Sequence, residues 1–214
     1  GGQPSQQRAT AMSVKRVGIF GTSGMAREAG DVANDLGYTP LYVARDQAEL
    51  NAWQYPAEAI LESDVLRYQT MPFVIGIGEN NIREKVANRY RGQLSFCNLI
   101  HTSATFGYLQ RKAIECQQGI IVCAGVRFTN SIQVGDFCIF NQNATIAHDV
   151  VIGDFVHIAP SSSVSGNVDI GSNCWIGAGA LLNQGTPENK LLIGNHTTIG
   201  SGAVVIRSCE SNTV

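Results

Sequence analysis

Between residues 122 and 182 an apolar side chain recurs at every sixth position: Val122, Phe128, Val134, Phe140, Ile146, Ile152, Ile158, Val164, Ile170, Ile176 and Leu182. Four residues after each comes a second column, made of Val126, Ile132, Cys138, Ala144, Val150, Val156, Ser162, Val168, Cys174, Ala180 and Thr186, all small or β-branched. Turn formers fill the gaps, as in Gly135-Asp136, Asn141-Gln142-Asn143, Gly153-Asp154, Ser165-Gly166-Asn167 and Gly171-Ser172-Asn173. After an irregular stretch from Asn183 to Leu192, the step resumes at Ile193, Ile199 and Val205. A period of six fits neither the 3.6-residue turn of a helix nor a long alternating strand. It predicts short strands separated by corners, each strand turning two residues inward. Such units bury a core only by stacking on one another.

Residues 14–103 follow a different grammar. Val14 to Phe20 predicts a strand that ends at Gly21-Thr22-Ser23-Gly24. A helical pattern follows (Met25, Ala29, Val32, Ala33, Leu36), with Gly37 as its stop. Leu41 to Val43 and Phe73 to Ile77 predict two further strands, and Asn81 to Tyr90 a second helix. Strand–helix alternation of this length makes a small parallel sheet. Charge density separates the halves: residues 14–103 carry nineteen Asp, Glu, Lys and Arg, residues 116–182 only five, without Glu, Lys or Met. A surface helix is therefore not expected in the second stretch. The fold class expected is an α/β Rossmann-like domain at 14–103, followed at 104–214 by an all-β left-handed parallel β-helix of hexapeptide repeats. Three hexads close one triangular coil there, so residues eighteen apart stack at about 4.8 Å. The polar stretch 1–13 is expected to be a linker or a cloning scar.

Composition narrows the classes. A hydrophobic content of 44% over 214 residues supports a core, and a net charge of −2 leaves no basic footprint for nucleic acid. With no run of 18 apolar residues and no signal peptide, a cytoplasmic protein is expected. Six cysteines without a CxxC pair predict reduced thiols and no zinc knuckle. Cys138 and Cys174 fall in the inward small column and Cys116 in the inward large one, where thiols act as small hydrophobes.

Two places could carry chemistry. His148 lies in the corner Ala147-His148-Asp149, two positions after inward Ile146. Imidazole is suited to accepting a proton near neutral pH, and an adjacent carboxylate can orient it. Gly166 comes eighteen residues later, one rung further on the same corner, where its N–H could meet a developing oxyanion. The bland alternatives are an idle corner histidine and a corner glycine chosen for positive φ. Gly21-Thr22-Ser23-Gly24 forms an anion-binding turn between strand and helix, and Gly78 to Asn81 would flank the same crevice. About 90 residues are too few for both halves of a dinucleotide fold, which disfavours NAD.

Certain segments carry a family resemblance: Ile19-Phe20-Gly21-Thr22-Ser23-Gly24, Ile77-Gly78-Glu79-Asn80-Asn81-Ile82-Arg83, Asn98-Leu99-Ile100-His101, Ile146-Ala147-His148-Asp149 and Ser165-Gly166-Asn167-Val168. Through them the chain resembles bacterial nucleotide-sugar acetyltransferases of the sialic-acid O-acetyltransferase (NeuD/PglD-like) family. It is most similar to those that N-acetylate the 4-amino group of UDP-4-amino-4,6-dideoxy-N-acetylglucosamine, the bacillosamine step of protein glycosylation. The resemblance implies acetyl-CoA as co-substrate, no metal, and direct transfer with His148 as base, Asp149 as its orienter and the Gly166 N–H on the oxyanion. It implies pantetheine contacts at Gly200 and Gly202, and substrate contacts at Gly21, Thr22, Ser23, Gly24, Gly78, Asn80, Asn141 and His157. His157, five after Ile152, should point outward into a cleft between subunits.

A homotrimer with each active site between neighbouring coils is also implied, as is fusion to a membrane sugar-phosphate transferase in some relatives. Two departures stand out. Ala44-Arg45-Asp46 replaces an acidic residue that often touches uracil, and the chain reaches Val214 without the family's Gly-x-Pro-Ala segment, which points to a shortened CoA pocket. Three rivals remain: O-acetylation of sialic acid or another sugar, a non-catalytic nucleotide-sugar-binding trimerisation module, and a γ-type carbonic anhydrase using His148, His157 and His196 on zinc. The last needs three histidines to converge from different columns.

Overall fold

A computed structural model describes residues 14–214; the expected linker at 1–13 lies outside the described residues. The first unit runs β1 (Arg16–Phe20), α1 (Gly24–Asp35), β2 (Thr39–Ala44), α2 (Gln47–Asn51), β3 (Ala59–Leu61), a 3₁₀ turn (Glu62–Tyr68), β4 (Pro72–Ile75), α3 (Asn80–Tyr90) and β5 (Ser95–Phe96). Its strands form one parallel sheet in the order β3-β2-β1-β4-β5. The order reverses between β1 and β4, so a crevice opens beyond their carboxyl ends. Gly21 and the segment Gly76 to Gly78 stand there. Val17, Ile19, Leu41, Val43, Phe73, Val74 and Ile75 are buried, which is why these strands read as continuous apolar runs.

The second unit is a three-sided parallel β-helix. Its first face stacks Leu99–Ile100, Ile121–Val122, Ile139–Phe140, His157–Ile158, Trp175–Ile176 and Thr198–Ile199. The second stacks Thr105–Phe106, Arg127–Phe128, Thr145–Ile146, Ser163–Val164, Leu181–Leu182 and Val204–Val205. The third stacks Gln133–Val134, Val151–Ile152, Val168–Ile170 and Leu191–Ile193. In the middle rungs partners are eighteen apart, as in Ile139 on Ile121 and His157 on Ile139. Leu99–Ile100 already pairs with Ile121–Val122, so the first rung starts just ahead of residue 104.

All eleven residues of the large column are buried in one core. The corners explain the turn formers: Ser131, Phe137, Asn143, Asp149, Phe155, Ser161, Asn167 and Asn173 all take the left-handed conformation, with φ between 56° and 60°. Asn and Asp accept that region at lower cost than most residues.

Two positions depart from the hexad expectation. Between Leu182 and Leu191 the chain makes a loop, and the register across it lengthens to Ile170 on Ile193. Thr186, expected in the inward small column, is exposed in that loop, and Leu191, which pairs with Val168, fills the buried site instead. Cys116, expected inward, is exposed at the end of a short helix, α4 (Gln110–Glu115). That helix caps the coil: Ile114 enters the core, and Gln110 bonds both the N–H and the C=O of Ile132, replacing a preceding rung.

The α/β unit docks on the first face. Its outward residues Leu99, Ile121 and Ile139 are buried against Ala26, Ala29, Val32 and Ala33 of α1. Small helix residues allow this close approach, and the apolar area removed from water stabilises the junction.

Candidate active site

His148 sits where the second face turns into the third. Asp149 beside it is the left-handed corner residue, which turns its carboxylate back onto the ring. His148 Nδ1–H donates to Asp149 Oδ2 at 2.8 Å, and both side chains are about half exposed (45% and 52%), so Nε2 is open to a substrate. One rung on, the Asn167 N–H donates to His148 O at 3.1 Å and fixes the stacking. A Cβ added at Gly166 would lie 2.5 Å from His148 Cε1 and 2.6 Å from Nε2. Gly166 does not carry positive φ; Asn167 does (φ 57°). Glycine here makes room for the imidazole that rests against it, and does not serve a left-handed backbone. Among the described residues, no protein acceptor takes the Gly166 N–H. The Gly185 N–H continues the corner stack by donating to Gly166 O at 3.0 Å.

Asn141, Gly200 and Gly202 belong to a different corner, between the first and second faces. Gly200 and Gly202 are exposed, and a side chain at either would meet open space. Asn141 is buried: its Nδ2 lies 3.4 Å from His157 Nε2 and 3.8 Å from Met25 Sδ. His157 points away from the coil axis as expected, but it is covered, not lining an open cleft (3% exposed). Its ring packs 4.2 Å from Trp175, and Nδ1 lies 3.0 Å from Gly78 O. A carbonyl only accepts, so Nδ1 carries the proton and Nε2 the lone pair. Burial pushes the His157 pKa down to about 4, against the opposing bond to Gly78, so the ring is neutral at pH 7.

At the crevice, Gly21 takes φ 109° and its N–H donates to Val43 O at 2.9 Å. Ser23 caps α1 without a side-chain bond, Gly24 opens the helix, and no acidic residue occupies the first turn. The helix N-terminus therefore faces the crevice with free donors and positive potential. The Thr22 hydroxyl is bonded to Glu49, which also accepts the Arg45 N–H at 2.5 Å. Thr22, Arg27, Glu49, Trp53 and Tyr55 line a cavity of about 500 Å³. No motif or spacing in the sequence marks Arg27, Glu49, Trp53 or Tyr55. Asn80, expected to touch substrate, is turned into the junction: Nδ2 donates to Cys174 O at 2.9 Å, and Oδ1 accepts from Arg83 at 2.6 Å.

One chain thus brings His148, Asp149 and Gly166 together at one corner. Gly21 to Gly24, Gly78, Asn141 and His157 gather at the domain junction. The two groups are separated by a face of the prism. His196 is an exposed corner residue on neither, so His148, His157 and His196 do not share a centre. Among the described residues, no group of three His, Cys, Asp or Glu side chains is placed to hold a metal ion, and no helix is long and apolar enough to cross a membrane.

Comparison with known proteins matches both units. The PglD N-terminal domain matches residues 16–90, and the bacterial transferase hexapeptide (six repeats) matches residues 149–184. A GDP-perosamine N-acetyltransferase of Escherichia coli O157:H7 is 40% identical over 76 residues, which is 36% of this chain and 34% of that protein. The chain is thus matched to about a third of that relative's length. PerB from Caulobacter crescentus, solved with CoA and GDP-perosamine, superposes with a TM-score of 0.78 at 28% identity, covering 93% of this chain and 92% of that one. The acetyltransferase domain of PglB from Neisseria gonorrhoeae FA1090, solved with acetyl coenzyme A, gives a TM-score of 0.79 at 23% identity, covering 93% and 94%. The architecture is a Rossmann-like domain followed by a left-handed parallel β-helix.

Proposed function

We propose that this chain, which belongs to the PglD/NeuD-like nucleotide-sugar acetyltransferases, transfers acetyl from acetyl-CoA to the amino group of a nucleotide-linked amino sugar. One observation carries the reading: an accessible imidazole, oriented by a carboxylate, rests one rung from a backbone N–H with no protein acceptor.

The sugar amine attacks the thioester carbonyl, forming the C–N bond. His148 Nε2 takes the proton from nitrogen while Asp149 stabilises the imidazolium through Nδ1–H. The Gly166 N–H donates to the oxyanion of the tetrahedral adduct. On collapse the C–S bond breaks and the sulfur leaves with the proton returned by His148. No covalent acyl-enzyme is needed. The nucleotide diphosphate rests on the Gly21 to Gly24 turn and the α1 N-terminus.

The two separated groups become one site if a second copy brings its His148 corner to the Asn141 and Gly200 corner of its neighbour. Such a contact is head-to-tail, and a ring of three copies, a homotrimer, is the assembly proposed. It also reconciles Gly166 with Gly200 and Gly202, which lie on different corners of one chain yet would face one thioester arm.

The acceptor proposed is UDP-4-amino-4,6-dideoxy-N-acetylglucosamine, acetylated at the 4-amino group to the bacillosamine-type product. GDP-perosamine is the second reading, favoured by the relatives named for it. The test is release of free thiol from acetyl-CoA with each nucleotide sugar, with the product mass confirming amide formation. Turnover with the UDP sugar at least ~10-fold above the GDP sugar supports the first reading, and the reverse supports the second. Turnover with neither overturns the proposed activity.

A further inference from the structure

Arg83 is the largest fully buried side chain of the described residues, 1% exposed, and no carboxylate pairs with it. Burying a lone guanidinium is costly unless every donor is satisfied. Here all five are. Nε–H donates to Phe137 O at 2.8 Å, Nη1 to Ile77 O at 2.8 Å and Gly78 O at 3.0 Å, and Nη2 to Asn80 Oδ1 at 2.6 Å and Phe155 O at 2.9 Å.

These acceptors come from both units. Ile77 and Gly78 belong to the loop between β4 and α3, and Asn80 opens α3. Phe137 and Phe155 are left-handed corner residues of two successive coils, with rings stacked at 5.2 Å. One side chain therefore fixes the crevice loop against the β-helix. The Gly78 carbonyl it holds also accepts from His157 Nδ1 at 3.0 Å.

We infer that Arg83 is a positioning residue for the acceptor site: by holding the Gly78 carbonyl between its guanidinium and His157, it sets the His157 tautomer and keeps the Nε2 lone pair on the Asn141 side. Its link to catalysis rests on the proposed acetyl transfer; its effect on His157 does not. Arginine is required because lysine has three donors on a single nitrogen and cannot reach acceptors spread across two coils and a loop.

The experiment records ring ¹⁵N shifts of His157 by long-range ¹H–¹⁵N NMR, with kinetics on the full chain. The wild type is expected to show a pyrrole-type Nδ1 and a pyridine-type Nε2 at pH 7. The opposite tautomer in the wild type overturns the inference whatever the activity, so a failed fold of any variant leaves it testable. In Arg83→Lys the two shifts are expected to move toward each other, while KM for the nucleotide sugar rises ~10-fold and kcat changes less than ~3-fold. Unchanged His157 shifts and unchanged KM in folded Arg83→Lys would reduce Arg83 to a structural tie and overturn the assignment. If no amino sugar is turned over, the NMR arm still decides the matter.

Discussion

Gly166→Ala separates catalysis from stability. The backbone at this residue is open to alanine, so no conformational strain arises. The new methyl would lie 2.5 Å from His148 Cε1, 2.6 Å from Nε2 and 3.0 Å from Nδ1. Carbon contacts settle at about 3.5–4.0 Å, so the ring must move by ~1 Å. It is half exposed and can do so cheaply, but the move strains the 2.8 Å bond to Asp149 and takes Nε2 off the reacting nitrogen. A misplacement of this size costs ~10²-fold in kcat, or about 2.7 kcal/mol of transition-state stabilisation. Folding stability should change by less than ~1 kcal/mol, with Gly→Ala at a permitted φ even favouring the fold. Thiol release from acetyl-CoA reads the first effect and thermal unfolding the second. A Gly166→Ala protein with wild-type kcat would refute the stacked-corner mechanism. Loss of fold together with activity would refute its local nature.

His148→Ala should lower kcat/KM at least ~10²-fold, the usual scale for a general base, with the melting temperature nearly unchanged because the ring is half exposed. Asp149→Asn keeps the shape and loses the charge, and should cost about 10-fold, read in the same thiol assay. Stability should depend on pH through His157. Its folded pKa, about 4, lies below the ordinary imidazole value of 6.5, so the unfolded chain binds the proton first. Its contribution is therefore complete above pH 6.5, falls as pH drops toward 4, and amounts to ~3 kcal/mol across that window. Denaturant titrations should show this slope in the wild type and a flatter one in His157→Gln. Equal slopes would contradict the burial argument.

The β-helix was legible because each inward column meets the same surroundings every six residues, and most left-handed corners carry Asn, Asp or Ser. The same logic put Gly166 one rung from His148 without coordinates. It failed where the period was interrupted. The loop after Leu182 expelled Thr186, and α4 replaced the rung that would have buried Cys116. His157 was placed with the right parity, yet its burial depends on α1 and the Gly78 loop docking over it, which no periodicity encodes. Arg83 left no readable trace of its function because four of its five partners are backbone carbonyls, which have no residue identity. Asn80 looked like a substrate ligand because it follows Gly78 at the crevice, but its amide is consumed by Arg83 and Cys174 O. The cavity beside Thr22 was missed because Arg27, Glu49, Trp53 and Tyr55 are scattered in sequence and meet only through the fold.

Subunit complementation tests most directly whether one active site is shared by two copies. His148→Ala and Asn141→Ala chains, each expected to lose activity alone, are co-expressed and purified as mixed assemblies. With random mixing, roughly a quarter of the interfaces pair an intact His148 corner with an intact Asn141 corner, so activity should recover to about a quarter of wild type. Mixed assemblies as inactive as either parent would contradict the shared site.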